Sequence, residues 1–218
     1  MSLDAELRAF HQARQQQIPA DVREVMDRAA AELAAGGRAG NALGVGGPAP
    51  DFRLPSATGR TVALADLLAL GPVVLTFYRG AWCPYCNLAL RALQQAHAAI
   101  TALGAQLVAV SPQPPDDSLS LAEQHALAFE VLSDPGSGTA GEYGLAYDLP
   151  AELSAVHARF GAGGTELPRT LPLAATYVID RDGTVRWAFV DSDFTRRAEP
   201  SDILAALAAL AGAPVPAT

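Results

Sequence analysis

Cysteine is scarce in this chain: Cys83 and Cys86 are the only two among 218 residues. One intrachain disulfide is therefore possible, and no third sulfur can serve as a distant resolving thiol. Positive charge is also in deficit. A formal net charge of −8 argues against a nucleic-acid partner or an anionic membrane surface. No run of about twenty apolar residues is present to span a bilayer. The stretch Met1 to Arg8 lacks the basic start and continuous apolar segment of a secretory signal. A cytoplasmic location is expected, where paired cysteines are more often catalytic or metal-binding than structural. Metal-ligand spacing is missing as well. Zinc usually takes four ligands, and His11, His97, His125 and His157 stand at no such spacing from the cysteines. They read as solvated or hydrogen-bonded helix residues, and neither metal nor cofactor is expected. No internal repeat is visible.

What the chain does contain is a short run of redox character. The apolar segment Val73-Val74-Leu75-Thr76-Phe77 leads into Tyr78-Arg79-Gly80-Ala81-Trp82-Cys83-Pro84-Tyr85-Cys86, and a helix-like stretch from Asn87 to Ala102 follows. Strand, C-x-x-C and helix in this order make a thioredoxin-like redox site. Unpaired N–H groups at a helix start favour thiolate over thiol. A purely structural bridge is a poor reading, because so short a loop removes little unfolded-state entropy. A chain of this length also builds a core without a staple.

The rest of the chain reads as an α/β domain behind a helical arm. Residues 3–35 carry two amphipathic helices, one with Leu3, Leu7 and Phe10 on a face, the other with Val22, Val25, Met26, Ala29 and Leu33. Pro19 and Asp21 mark the second start, and the glycines near 36–40 mark its end. The arm suits packing on its own domain or a homodimer contact. Residues 51–54 and 61–64 read as short strands, 65–70 as a helical turn, 73–77 and 106–110 as central parallel strands joined by the intervening helix. A helix over 116–126, an edge strand over 129–132, a hairpin over 175–180 and 184–190, and a closing helix over 200–211 complete the pattern. Residues 139–165 read as short helices broken by glycine and proline, lying over one edge of the sheet.

These stretches together resemble the alkyl hydroperoxide reductase / thiol-specific antioxidant family, that is, a peroxiredoxin-like protein. The resemblance rests on Ala49-Pro50-Asp51-Phe52-Arg53-Leu54, the segment from Gly71 to Gly80, Val110-Ser111-Pro112-Gln113, Leu132-Ser133-Asp134, Tyr177 to Gly183, and Asp193-Phe194-Thr195-Arg196-Arg197-Ala198-Glu199-Pro200. It implies a thioredoxin-like fold, a central mixed β-sheet flanked by helices, over residues 44–212. Residues 1–43 are then an N-terminal helical extension and 213–218 a flexible tail. Against the family's Pro-x-x-x-Thr-x-x-Cys motif, Arg79 takes the proline slot, Cys83 the threonine slot and Cys86 the peroxidatic slot. Where related proteins carry a cis-proline or an arginine before the later strand, this chain has Ala174, with Pro172 two residues earlier.

The resemblance implies a thiol peroxidase that reduces hydrogen peroxide or organic hydroperoxides through a Cys83–Cys86 disulfide. Thioredoxin, a thioredoxin-like protein or glutathione would restore the dithiol. A thioredoxin- or glutaredoxin-like disulfide oxidoreductase is the alternative, supported by Cys83-Pro84-Tyr85-Cys86, and a redox-sensing interaction protein is a third. Position at the helix start favours an exposed Cys83 as attacker, whereas peroxiredoxin spacing favours Cys86. Arg79 is a candidate for stabilising the thiolate. Trp82 and Tyr85 are candidates for walling the site or giving a reductant a flat surface, and Pro84 suits the first helical turn. Arg169, Arg196 and Arg197 could approach the site from the loops after the sheet, but ordinary surface charge is the preferred reading.

Overall fold

A computed structural model describes residues 2–160 and 168–212 of the chain. The proposed tail, 213–218, part of the 139–165 stretch and the His157 side chain lie outside the described residues.

The arm comprises α1 (Leu3–Gln15), α2 (Ala20–Ala35) and the single turn α3 (Arg38–Asn41). A hairpin of β1 (Arg53–Pro55) and β2 (Thr61–Ala63) leads through α4 (Leu64–Leu70) to β3 (Val73–Phe77). Then come α5 (Pro84–Ala102), β4 (Gln106–Ser111), α6 (Pro115–Gln124) and β5 (Glu130–Ser133). The remaining elements are α7 (Gly138–Glu142), β6 (Ala146–Asp148), α8 (Ala151–Phe160), β7 (Thr170–Pro172), β8 (Ala174–Ile179), β9 (Val185–Asp191) and α9 (Pro200–Ala211).

Five strands form the central sheet in the order β5-β4-β3-β8-β9. The pairs β3–β4 and β4–β5 are parallel, and β8 runs antiparallel to both β3 and β9. All five residues of β3 are buried, as expected for an apolar, β-branched run covered on both faces. Alternate residues then serve two cores. Val74, Leu107, Ala109 and Val178 pack under α1, α5 and α9. Leu75, Phe77, Val110 and Tyr177 pack with the β1–β2 hairpin and the segment around Tyr143 and Leu171.

Helix α5 starts at Pro84, three residues before the expected Asn87. Proline fits the first helical position because its missing N–H has no intrahelical acceptor there. The earlier start places Cys86 inside the first turn. The stretch after residue 138 holds short helices, but also β6, which pairs antiparallel with β7. Three-residue strands are too short to display a period, so this ribbon was not expected.

The arm packs on its own domain. Leu3 and Leu7 are buried against α5 and its neighbours. The Glu199 carboxylate, just ahead of α9, accepts from the N–H groups of Leu3 at 3.2 Å and Asp4 at 2.6 Å, filling donors that a helix start leaves open. Helix α2 sits against α8, but Val22 is its one buried residue. The rest of its apolar face looks into a cavity.

Candidate active site

The site begins where β3 releases the chain. Gly80 has φ 143°, and a Cβ there would lie 2.5 Å from Trp82 Nε1, so the turn requires glycine. The loop is clamped from two sides. Gln113, beyond β4, accepts from the Ala81 N–H, and Asn87 Nδ2 donates to the Ala81 carbonyl at 2.8 Å. Cys83 is the N-cap of α5, and its carbonyl accepts from the Cys86 N–H at 3.0 Å.

Both cysteines are reduced and buried: Cys83 is 1% exposed and Cys86 0%. The expectation of an exposed Cys83 therefore fails, because the arm and the loop before α9 cover the helix start. Arg197 comes from that loop. Its Nη2 donates to Cys86 Sγ at 3.0 Å and stands 4.0 Å from Cys83 Sγ. Its Nη1 donates to the carbonyls of Phe194 at 2.6 Å and Arg196 at 2.7 Å, so the guanidinium is held in place. The surface-charge reading of Arg197 is thus corrected: a half-buried cation sits on the sulfurs. Arg196 does lie at the surface, paired with Asp191, and Arg169 is exposed.

Arg79 is buried beside the same pair. Its guanidinium carbon lies 4.7 Å from the centre of the Trp82 ring and 5.1 Å from that of Phe194, a doubly stacked cation. Its Nε has no hydrogen-bond partner among the described residues. Burial works against its charge, while the neighbouring Tyr147 hydroxyl and the Cys83 and Cys86 sulfurs favour it.

The two thiols are driven apart in acidity. Burial pushes both up. For Cys86 this is outweighed by the hydrogen bond from Cys83, the Arg197 charge, and the backbone N–H and charge of Arg79, which hold it well below the ordinary thiol value. Cys83 donates to Cys86 and faces its negative charge, which adds to burial and holds Cys83 well above the ordinary value against the pull of both arginines. These opposed directions favour a thiol on Cys83 donating to a thiolate on Cys86.

A mainly apolar cavity of about 290 Å³ lies above Cys83, and Cys86 does not line it. Trp82, Pro84 and Tyr85 form its floor with Arg79, while Met26, Ala30 and Leu33 of α2 face them across the space. Trp82 and Tyr85 line this cavity. The flat-surface reading fails for Tyr85, which is covered by Phe10 and Phe194 in edge-on ring contacts and bonded through its hydroxyl to His11 Nδ1 at 2.9 Å. His11 is hydrogen-bonded, as expected. Ala174 opens β8 as a buried residue, and no peptide bond among the described residues is cis. Arg197 was one of three arginines read as able to approach the site, whereas Gln113, Asn87, Phe194 and the α2 wall were not singled out from sequence as parts of it. The one visible signal was the Arg196-Arg197 pair in the family-like tail. Among the described residues, no cluster of three metal-binding side chains exists, and no helix is long and apolar enough to cross a membrane.

A thiolate–thiol pair capping a helix at the end of a central strand defines a thioredoxin-fold redox protein. Residues 45–188 match the AhpC/TSA family, and the chain belongs to it. It is 30% identical over 137 residues to the chloroplastic peroxiredoxin Q of Gentiana triflora, covering 63% of this chain and 54% of that protein. The chain thus spans little more than half the length of that relative. A Mycobacterium tuberculosis protein named among the peroxiredoxins is 30% identical over 160 residues, 73% of this chain and 93% of its own length. The crystal structure of peroxidoxin BcpB from the same organism superposes with a TM-score of 0.61 at 26% identity, covering 77% of this chain and 96% of that one. Arg197 and helices α1 and α2 lie outside the stretch that matches the family.

Proposed function

We propose that the protein is a thiol peroxidase in which Cys86 attacks the hydroperoxide and Cys83 closes the disulfide. The observation that carries this reading is the 3.0 Å contact of Arg197 Nη2 with Cys86 Sγ, since thiolate is the nucleophile and a cation at the sulfur maintains it. The Cys86 thiolate attacks one oxygen of the O–O bond and bonds to it, giving sulfenic acid, while the other oxygen leaves as alkoxide or hydroxide and takes a proton. The Cys83 thiol then condenses with the sulfenic acid, forming the disulfide and releasing water. A thiol reductant returns the pair to the dithiol. Position at the helix start had favoured Cys83 as the attacker; its burial and the contact of Arg197 with Cys86 support the opposite order.

The test is a stoichiometric peroxide pulse followed by a sulfenic-acid probe and peptide mapping. Cys83→Ser retains the reaction and carries the label on Cys86, while Cys86→Ser reacts far more slowly. Labelling on Cys83 in the Cys86→Ser variant, at the rate of the wild-type burst, would reverse the assignment.

A further inference from the structure

In this fold neither sulfur is open to a second protein. A protein thiol arrives with its whole surface, and it must align with the S–S bond to exchange. The arm stands in the way. Phe10 and His11 of α1 cover Tyr85, and α2 faces Cys83 across the cavity. What remains is a half-open pocket of about 290 Å³ with Cys83 in its lining.

We propose that the oxidised pair is reduced by a low-molecular-weight thiol that enters this cavity and attacks Cys83 Sγ, with Cys86 leaving as a thiolate toward Arg197. The inference takes its disulfide from the peroxidase reading and concerns how that bond is undone. Two observations give the direction. Access favours Cys83, because it lines the cavity and Cys86 does not. Leaving-group quality favours release of Cys86, because the more acidic thiol departs faster and Arg197 lies 3.0 Å from its sulfur.

The electrons balance through two molecules of thiol. The first, as thiolate, bonds to Cys83 and the Cys83–Cys86 bond breaks, with both electrons going to Cys86. The second attacks the sulfur of the bound thiol, releases the small disulfide and leaves Cys83 to take up a proton. The small thiol is oxidised and the protein pair reduced. The exposed lining of the cavity bears both charge signs, Arg38 against Glu32 and Asp148, with Arg14 half-buried beside them. That pattern suits a thiol carrying both carboxylate and ammonium groups, such as an amino-acid or short-peptide thiol, which the apolar wall of α2 then confines.

The experiment starts from the full chain oxidised with diamide, so that no peroxide step is involved. Loss of the disulfide is timed with glutathione and, separately, with a reduced thioredoxin. Glutathione is expected to be the faster reductant at equal thiol concentration. Ala30→Trp, which pushes a ring into the cavity, is expected to slow it about tenfold or more. Mapping gives a second readout that does not depend on that variant folding. Glutathione disulfide should leave a mixed disulfide on Cys83 in Cys86→Ser and none on Cys86 in Cys83→Ser. Faster reduction by thioredoxin, an adduct on Cys86, or a folded Ala30→Trp reduced at the wild-type rate each overturns the proposal. A protein that passes these tests yet consumes no peroxide would overturn the peroxidase reading instead.

Discussion

Arg197 Nη2 stands 3.0 Å from Cys86 Sγ, and the two residues are 111 positions apart in sequence. The contact joins a loop beyond the family-matched stretch to a sulfur inside it. It makes the Cys86 thiolate the charged partner of a guanidinium whose other nitrogen is held by two backbone carbonyls.

Replacing Arg197 by Gln removes that charge while keeping a donor of similar reach. Cys86 then loses one of the influences that hold it low, its thiolate fraction near neutral pH falls, and the reaction with peroxide slows. Once the thiol's value passes the working pH, a loss of about tenfold is expected for each further unit by which it rises. The deficit should shrink as pH is raised, because deprotonation by solvent replaces stabilisation by the arginine. Arg197→Lys should recover part of the rate. Rapid-mixing kinetics against pH, read beside the ultraviolet absorbance of the thiolate, checks this; a rate loss that stays constant across pH would assign Arg197 a structural role.

The opposed acidities of the pair also set a pH dependence of stability. Cys86 is depressed in the fold, so between its folded value and about 8.5, the unfolded thiol value, the unfolded chain binds more protons and stability rises with pH. Cys83 is raised in the fold, so above about 8.5 the folded chain keeps a proton that the unfolded chain loses, and stability falls. The reduced protein, compared with the Cys83→Ser/Cys86→Ser double variant, should therefore show a difference in Tm that peaks near the ordinary thiol value. A flat difference across that range would contradict the assigned protonation states.

Much of this was legible in sequence because it is local. The apolar run of β3, the C-x-x-C pair, the helix after it and the strand β4 follow one another within residues 73–111, so periodicity and spacing alone place the sulfurs at a helix start. Arg197 was legible only as one of three arginines able to approach the site. Nothing in a pair of arginines says which one turns inward, and it is the backbone of the loop, through the carbonyls of Phe194 and Arg196, that aims this one. The apolar face of α2 was visible as Met26, Ala29 and Leu33, but a hydrophobic stripe does not reveal whether it meets a core or encloses a cavity. Here it encloses one. The pair β6 and β7 escaped notice because each strand spans three residues and their ladder is set by tertiary contact.

Gly80 offers a test of how the loop positions the sulfurs. Its φ of 143° is open to glycine and rarely to other residues, and a methyl group would meet Trp82 Nε1 at 2.5 Å and Gln113 Cδ at 3.1 Å. Gly80→Ala must shift the turn that carries Cys83 and disturb the Gln113 clamp on Ala81. Misplacing a reacting group by about 1 Å can cost on the order of a hundredfold, whereas backbone strain of this kind costs about 1–3 kcal/mol. The expected signature is a peroxide rate that falls much further than thermal stability does. Equal losses in both would place Gly80 among purely structural glycines.

The arm can be probed through Leu7, which is 3% exposed and packs into the core beneath α5. Leu7→Ala leaves a hole there, and substitutions of this kind cost about 2–5 kcal/mol. Because α1 carries Phe10 and His11 onto Tyr85, loosening it also uncovers the floor of the cavity above Cys83. Two changes should appear together: a lower Tm, and faster modification of Cys83 by a bulky alkylating reagent in the folded, reduced protein. Reactivity unchanged alongside a lowered Tm would mean that the arm stabilises the domain without guarding the sulfur, and that the cover over Cys83 resides in the loop before α9.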